Sequence, residues 1–288
     1  MPDPHQHKDP ADAARVEAAA EDGRRVDETR VSETLSALRE LDVGPEPAQS
    51  KGFGTEEAGA AVAAALVSVT SRVSSQHVQD VFRSLLLAQL AATAKADRLA
   101  EPAVWYKYHQ STLEQIGWVA SQSTVFTAYS PSTVPYTITT VVTDLMESVT
   151  TAGEAELVRR TLRSFTGDSS EPAQFVWECP SHAGGKGNFQ FALASEGSGG
   201  SGLMLRVGRF SFTTRKYVTR LSKERFESDA RFQRSLVTLV LDERVHARLR
   251  EAVAAKLGNR ADGMVAGIDL VRLEDADQGR DDVRPGRM

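Results

Sequence analysis

One cysteine stands in 288 residues, so no internal disulfide can staple the fold and cohesion has to come from buried apolar surface. The apolar fraction of 41% is enough for a sizeable core, while aromatics are sparse at 7%. Long hydrophobic runs are missing: the longest, Ala58 to Val67 and Leu85 to Ala92, fall short of the roughly 20 residues that a bilayer-spanning helix needs. Met1-Pro2-Asp3-Pro4-His5 has neither the basic start nor the apolar stretch of a secretory signal. The expected location is therefore the cytoplasm of the producing cell, with any membrane contact made by a soluble form after release or delivery.

Enzyme signatures are missing as well. The chain holds no G-x-x-x-x-G-K-[ST], H-E-x-x-H or G-x-S-x-G and no Cys/His cluster at metal spacing, and Gly184-Gly185-Lys186-Gly187 has the wrong spacing for a phosphate loop. His77, His109, His182 and His246 fall in separate elements and read as surface or satisfied core histidines. The expectation is a protein that is not an enzyme and has no cofactor and no metal site. Strong basicity is also lacking. The formal charge of −5 comes from the first 50 residues, with 6 Lys+Arg against 12 Asp+Glu, and the body is close to neutral, which argues against a nucleic-acid partner.

What is present divides the chain in three. Residues 1–54 are acidic and rich in Pro, Ala and Gly, a composition that buries too little apolar surface to stay ordered. Within them Val31, Leu35, Leu38 and Leu41 form a helical stripe before Gly44 and Pro45, a candidate docking helix for a protein carrier or larger assembly. Residues 55–270 form the folded domain, and 271–288 read as a charged flexible tail. The domain opens with three expected helices. The first starts at Thr55 with Val62, Leu66, Val69 and Val73 as its stripe; the second runs from Gln76 to Leu99; the third, Trp105 to Ile116, follows Pro102 and ends at Gly117. Trp118 to Tyr129 reads as extended. Two helices follow, one carrying Ile138, Val141, Val142, Leu145 and Val149, the other running from Glu154 to Phe165.

Period-two alternation then takes over. Phe175 to Glu178, Asn188 to Ser195, Leu203 to Thr213 and Ser235 to Leu241 read as an antiparallel meander, the glycine-rich stretch Gly197 to Gly202 joining its middle strands. The last run is apolar on both faces, so helices should cover the sheet above and below. A helix from Asp242, with Val245, Leu249, Val253 and Leu257 inward, ends at Gly258, and Met264, Val265, Ile268 and Leu270 supply a last buried element. The expected fold is a three-layer α/β/α domain with a central antiparallel sheet wrapped by amphipathic helices.

Two features carry chemistry. Glu178-Cys179-Pro180-Ser181-His182 sets a thiol at an expected strand end with a histidine three positions on, and a thiolate needs such a cationic neighbour to become nucleophilic or to accept an acyl chain. The other reading of Cys179 is an inert thiol. Arg206, Arg209, Arg215, Lys216, Arg220, Lys223 and Arg225, opposed by Glu224, form a basic stripe that suits anionic lipid or equally a solvated strand edge.

Local sequences add a resemblance. Ile138-Thr139-Thr140-Val141-Val142, Asn188-Phe189-Gln190-Phe191-Ala192, the Gly199-Gly200 connection and Leu203-Met204-Leu205 followed by Val207-Gly208-Arg209-Phe210-Ser211-Phe212 stand in an order that resembles the cytolytic delta-endotoxin (Cyt-like) architecture shared by Evf-type bacterial virulence factors. The resemblance covers roughly residues 118–260. It implies an α/β/α layered protein that engages membranes without a ready-made spanning segment, the helices acting as a removable cover and either layer able to enter lipid, with homo-oligomers forming on the membrane. Some Evf-type members carry an acylated cysteine, a part that only Cys179 could take here. The acidic N-terminal segment and the three leading helices depart from the compact toxin pattern. Three functions follow as expectations: a toxin-like or virulence protein that binds or perturbs anionic membranes, a cargo or adaptor docked through its N-terminal segment, and a cysteine acyl carrier.

Overall fold

The computed structural model describes residues 28–41, 43, 58–167, 170–197 and 202–268. Outside these lie most of the expected N-terminal segment, the Gly199-Gly200 connection, Leu270 and the expected C-terminal tail. The first described element, helix α1 (28–40), lays Val31 and Leu38 into the core with Val43 behind them.

The first correction comes next. The expected helix from Thr55 is instead a hairpin, β1 (Ala58–Val62) and β2 (Ala65–Val69), turned by Ala63 at φ 46° and Ala64. Every residue of β2 is buried, so its apolar run is continuous, and a continuous run contains a helical stripe as a subset. Helices α2 (Ser75–Thr93) and α3 (Pro102–Gln115) follow as expected, α2 capped by Ser74, whose Oγ accepts from His77 N, and α3 begun by proline. Gly117 leaves α3 at φ 101°, where its carbonyl accepts from Asp242 N at 2.8 Å. The extended stretch is two strands, β3 (Trp118–Ser123) and β4 (Thr127–Tyr129). Helices α4 (Ile138–Met146) and α5 (Ala152–Thr166) match the helical pair; α5 starts with a Thr151–Glu154 capping box.

A second correction concerns Phe175 to Glu178, expected as a strand. It lies in helix α6 (Glu171–Ser181), which buries Ala173 and Trp177 one turn apart and turns Phe175 outward. The short window Phe175-Val176-Trp177 shows no period of its own, and Pro172 at the start of the helix is the signal that separates the two readings. Cys179 is accordingly a helical residue, not a strand end. Strands β5 (His182–Ala183), β6 (Lys186–Glu196), β7 (Leu203–Thr213) and β8 (Arg231–Leu241) follow, then helices α7 (Glu243–Leu257) and α8 (Arg260–Met264) and strand β9 (Val265–Ile268).

The strands form one sheet in the order β3-β8-β7-β6-β2-β1-β9, with β4 beside β8 and β5 beside β6. All pairings are antiparallel except β2 with β6. The meander of β6, β7 and β8 is therefore extended on one side by the hairpin that the sequence disguised as a helix.

Alternation along the strands loads both faces. Phe189, Phe191 and Leu193 of β6 and Phe210 and Phe212 of β7 enter one core with α4, α5 and α6; Ala192, Ala194, Leu205 and Val207 enter the other with α1, α2 and α7. The first core is aromatic, with Phe189 stacked on Phe210 and Phe212 on Phe232, ring centroids 5.0 Å apart in each case, and Trp177 edge-on to Phe189. Gly187 makes this possible, because a Cβ there would fall 2.0 Å from the Phe212 ring. The architecture is three-layer α/β/α around a mostly antiparallel sheet.

Candidate functional site

The basic stripe does not stay together. Arg206 and Arg209 alternate on β7 and so project to opposite faces of the sheet. Arg206 donates to Glu154 Oε1 at 2.9 Å, both side chains largely buried. Burial pushes the Glu154 carboxyl upward, but the Thr151 amide and Arg206 outweigh it and hold it below the usual range. Arg209 lies under α3. The other five, Arg215, Lys216, Arg220, Lys223 and Arg225, are exposed on the connection from β7 to β8.

That connection is fastened to α6, the end of α5 and the β5–β6 turn. Arg220 Nη2 donates to Gln174 Oε1 at 2.8 Å, the Leu221 and Ser222 amides donate to the Glu178 carboxylate at 2.7 and 2.8 Å, Val218 N donates to Gly184 O, and Lys223 Nζ donates to Thr166 O. Tyr217 on the connection and Phe175 on α6 are each 78% exposed. Cys179, one turn beyond Phe175, is exposed too. His182 sits 3.5 Å from the Glu178 carboxylate, so the anion facing this imidazole is a glutamate in the last turn of α6.

The expected docking stripe is occupied within the chain. Val31 and Leu38 are buried, Leu35 and Leu41 pack against the same core, and Arg30 and Thr34 donate to the Glu114 and Gln115 carbonyls at the end of α3. Helix α1 is thus held from both sides: the α3 carbonyls accept from it, and Lys256 Nζ of α7 donates to its Arg39 carbonyl at 3.1 Å.

Sequence reasoning missed two buried polar groups. Between α2 and α7, Asp80 is 1% exposed and accepts from Arg250 Nε and Nη2 at 2.9 and 2.8 Å, with His246 Nε2 at 3.5 Å. Burial raises the Asp80 carboxyl, and its partners His246 and Arg250 more than reverse this, leaving it well below the ordinary range. Ligand atoms of His77, Asp80 and Glu243 lie within 4.8 Å of one another, but Arg250 engages both Asp80 oxygens and Glu243 as well, so the group is an ion-pair network in which a cation would compete with a guanidinium.

The second group sits under α3 on the sheet. Tyr106, His109, Gln190, Asn188, Arg98 and Arg209 are all buried. Tyr106 Oη donates to Phe189 O at 2.8 Å, Gln190 Nε2 lies 3.2 Å from His109 Nε2, and Arg98 stacks 4.4 Å above the Trp105 ring. Burial, then the charges of Arg209 and Arg98, hold the His109 imidazole well below its usual value, so it is neutral. Burial pulls both arginines down to about 10, which leaves them charged near neutrality. A spacing cue existed: alternate residues Asn188 and Gln190 are polar within an otherwise apolar strand.

Fold and surface thus define a three-layer α/β/α protein with a mostly antiparallel sheet, a basic connection on one side and a buried arginine group on the other. No protein-family model and no curated protein matches the chain. Among solved structures it is similar to the one described as "Structure of the Evf virulence factor", with 11% identity, 86% of this chain and 92% of that chain covered, and a TM-score of 0.31.

Proposed function

We propose that the chain is a toxin-like or virulence protein that docks on anionic lipid surfaces through the connection between β7 and β8. The observation that supports this is the joint exposure of Arg215, Lys216, Arg220, Lys223 and Arg225 with the aromatic side chains Tyr217 and Phe175, on two elements fastened to each other. Each cation near an anionic surface is worth about 1 kcal/mol, and aromatic rings settle at the headgroup level. Glu224, Glu227 and Asp229 on the same connection offset part of that attraction. Such a contact is screened beyond a Debye length, about 10 Å at 0.1 M salt, and so has to weaken as salt rises.

Co-sedimentation with phosphatidylserine-containing and pure phosphatidylcholine vesicles tests it. The protein should pellet with the anionic vesicles at low salt, and Arg215→Glu with Lys216→Glu should release it; absence of association at low salt rejects the reading. Dye release from the same vesicles separates docking from membrane perturbation. The exposure of Cys179 on the helix beside this surface favours a second reading, in which the thiol carries an acyl chain that strengthens docking. Intact mass before and after hydroxylamine reads that chain directly.

A further inference from the structure

Arg209 is 5% exposed, yet among the described residues no carboxylate forms an ion pair with it. Its Nη2 donates to Gln110 Oε1 at 2.9 Å, and its Nε has no hydrogen-bond partner. A guanidinium carries five N–H donors, so this buried cation retains unused donor capacity, a costly condition unless something else meets it. The same side chain lines a pocket of about 450 Å³ between α3 and the link from β3 to β4. Phe126, half-buried, forms an apolar wall there; the Tyr106 ring behind it, 5.3 Å away, is 2% exposed and turns its hydroxyl to the Phe189 carbonyl. Lys107 stands exposed at the rim, and Glu114 lines the pocket as well.

We infer that this pocket binds a small planar monoanion, a carboxylate carried on a flat apolar body, with the carboxylate on Arg209 and the body against Phe126. The flat body follows from the Phe126 ring and from the planar guanidinium, which lies 5.5 Å over the Tyr106 ring. A single charge follows from Glu114. Its carboxylate, joined to Arg209 through Gln110, whose Nε2 donates to Glu114 Oε1 at 2.8 Å, repels a second negative charge and so disfavours a phosphate dianion. Arg to carboxylate is a fork-to-fork contact of good geometry, and in a half-enclosed pocket it is less screened than at a surface.

Titration of the full chain with benzoate, benzamide and inorganic phosphate, followed by calorimetry and ligand-observed NMR, tests the assignment independently of any lipid binding. Benzoate should bind with a Kd on the order of 1 mM, as befits so small a ligand, and benzamide and phosphate at least about tenfold more weakly. Arg209→Gln should abolish the preference for benzoate over benzamide. Because that substitution alters a buried site, the exposed Lys107→Glu provides the second test and should weaken benzoate about threefold without changing the melting temperature. Equal binding of benzoate and benzamide, a preference for phosphate, or indifference of benzoate to Lys107→Glu each overturns the inference.

Discussion

The buried group under α3 makes one residue sensitive to acid. His109 stacks on Trp105 at 5.2 Å and faces Arg98 and Arg209, with Tyr106 closing the other side, so neither solvent nor a carboxylate can stabilise its protonated form. Its folded pKa lies well below 6.5, whereas in the unfolded chain the imidazole titrates near 6.5. Below that value the unfolded state takes up a proton that the folded state refuses, so stability present at neutral pH is lost as pH falls, by about 1.4 kcal/mol per unit. The carboxyls of Asp80 and Glu154, held low by their partners, give up their contributions only below their unfolded values near 4. The His109 window thus opens first as pH falls. Urea midpoints between pH 6.5 and 5 should fall in the native protein and fall less steeply in His109→Gln; identical slopes would show that His109 is protonated without cost.

At the scale of elements, legibility followed periodicity. Helices α3, α4, α5 and α7 each bury one face, and their residues announce the period; β6 and β7 bury both faces, yet in β6 Phe189, Phe191 and Leu193 alternate with Gln190, Ala192 and Ala194, so the period of two still shows. Strand β2 is apolar at almost every position and announces no period, so Leu66 and Val69 fall equally on a helical stripe, and α6 exposes Phe175 where an apolar residue is expected inside. The basic stripe failed for a related reason: along β7, neighbours in sequence point to opposite layers, so Arg206 and Arg209 could not share a surface. The arginine group was hidden because Arg98, His109, Gln190 and Arg209 meet only through tertiary packing.

The stripe of α1 suits docking in sequence, and its burial in the fold has a consequence for truncation. Val31, Leu38 and Val43 are each buried in the core shared with α2 and α7, and full burial of such side chains is worth about 1.5–3 kcal/mol apiece, an upper bound because the unfolded chain is partly collapsed. Removing residues 1–43 should therefore lower the melting temperature by about 10 °C or more. A truncated protein that melts where the full chain does would restore α1 as an element free to serve a partner.

For the whole molecule the deciding feature is that one sheet serves two cores. Strand β6 sends Phe189, Phe191 and Leu193 to the aromatic core and Ala192 and Ala194 to the aliphatic one, so neither helical layer can be stripped away without exposing a face of the strand that organises the other. Tryptophans report on both sides. Trp118 belongs to the aliphatic core, Trp105 packs beside it between α2 and α3, and Trp177 lies in the aromatic core. If the shared sheet couples the layers, denaturation in solution is all-or-none, and tryptophan emission and far-ultraviolet circular dichroism trace the same transition. Single-tryptophan variants retaining Trp118 or Trp177 should then give coincident urea midpoints. Two separated midpoints would mean that the layers part on their own, which is the property a removable helical cover requires at a lipid surface; coincidence in solution with separation on anionic vesicles would assign that parting to the lipid itself.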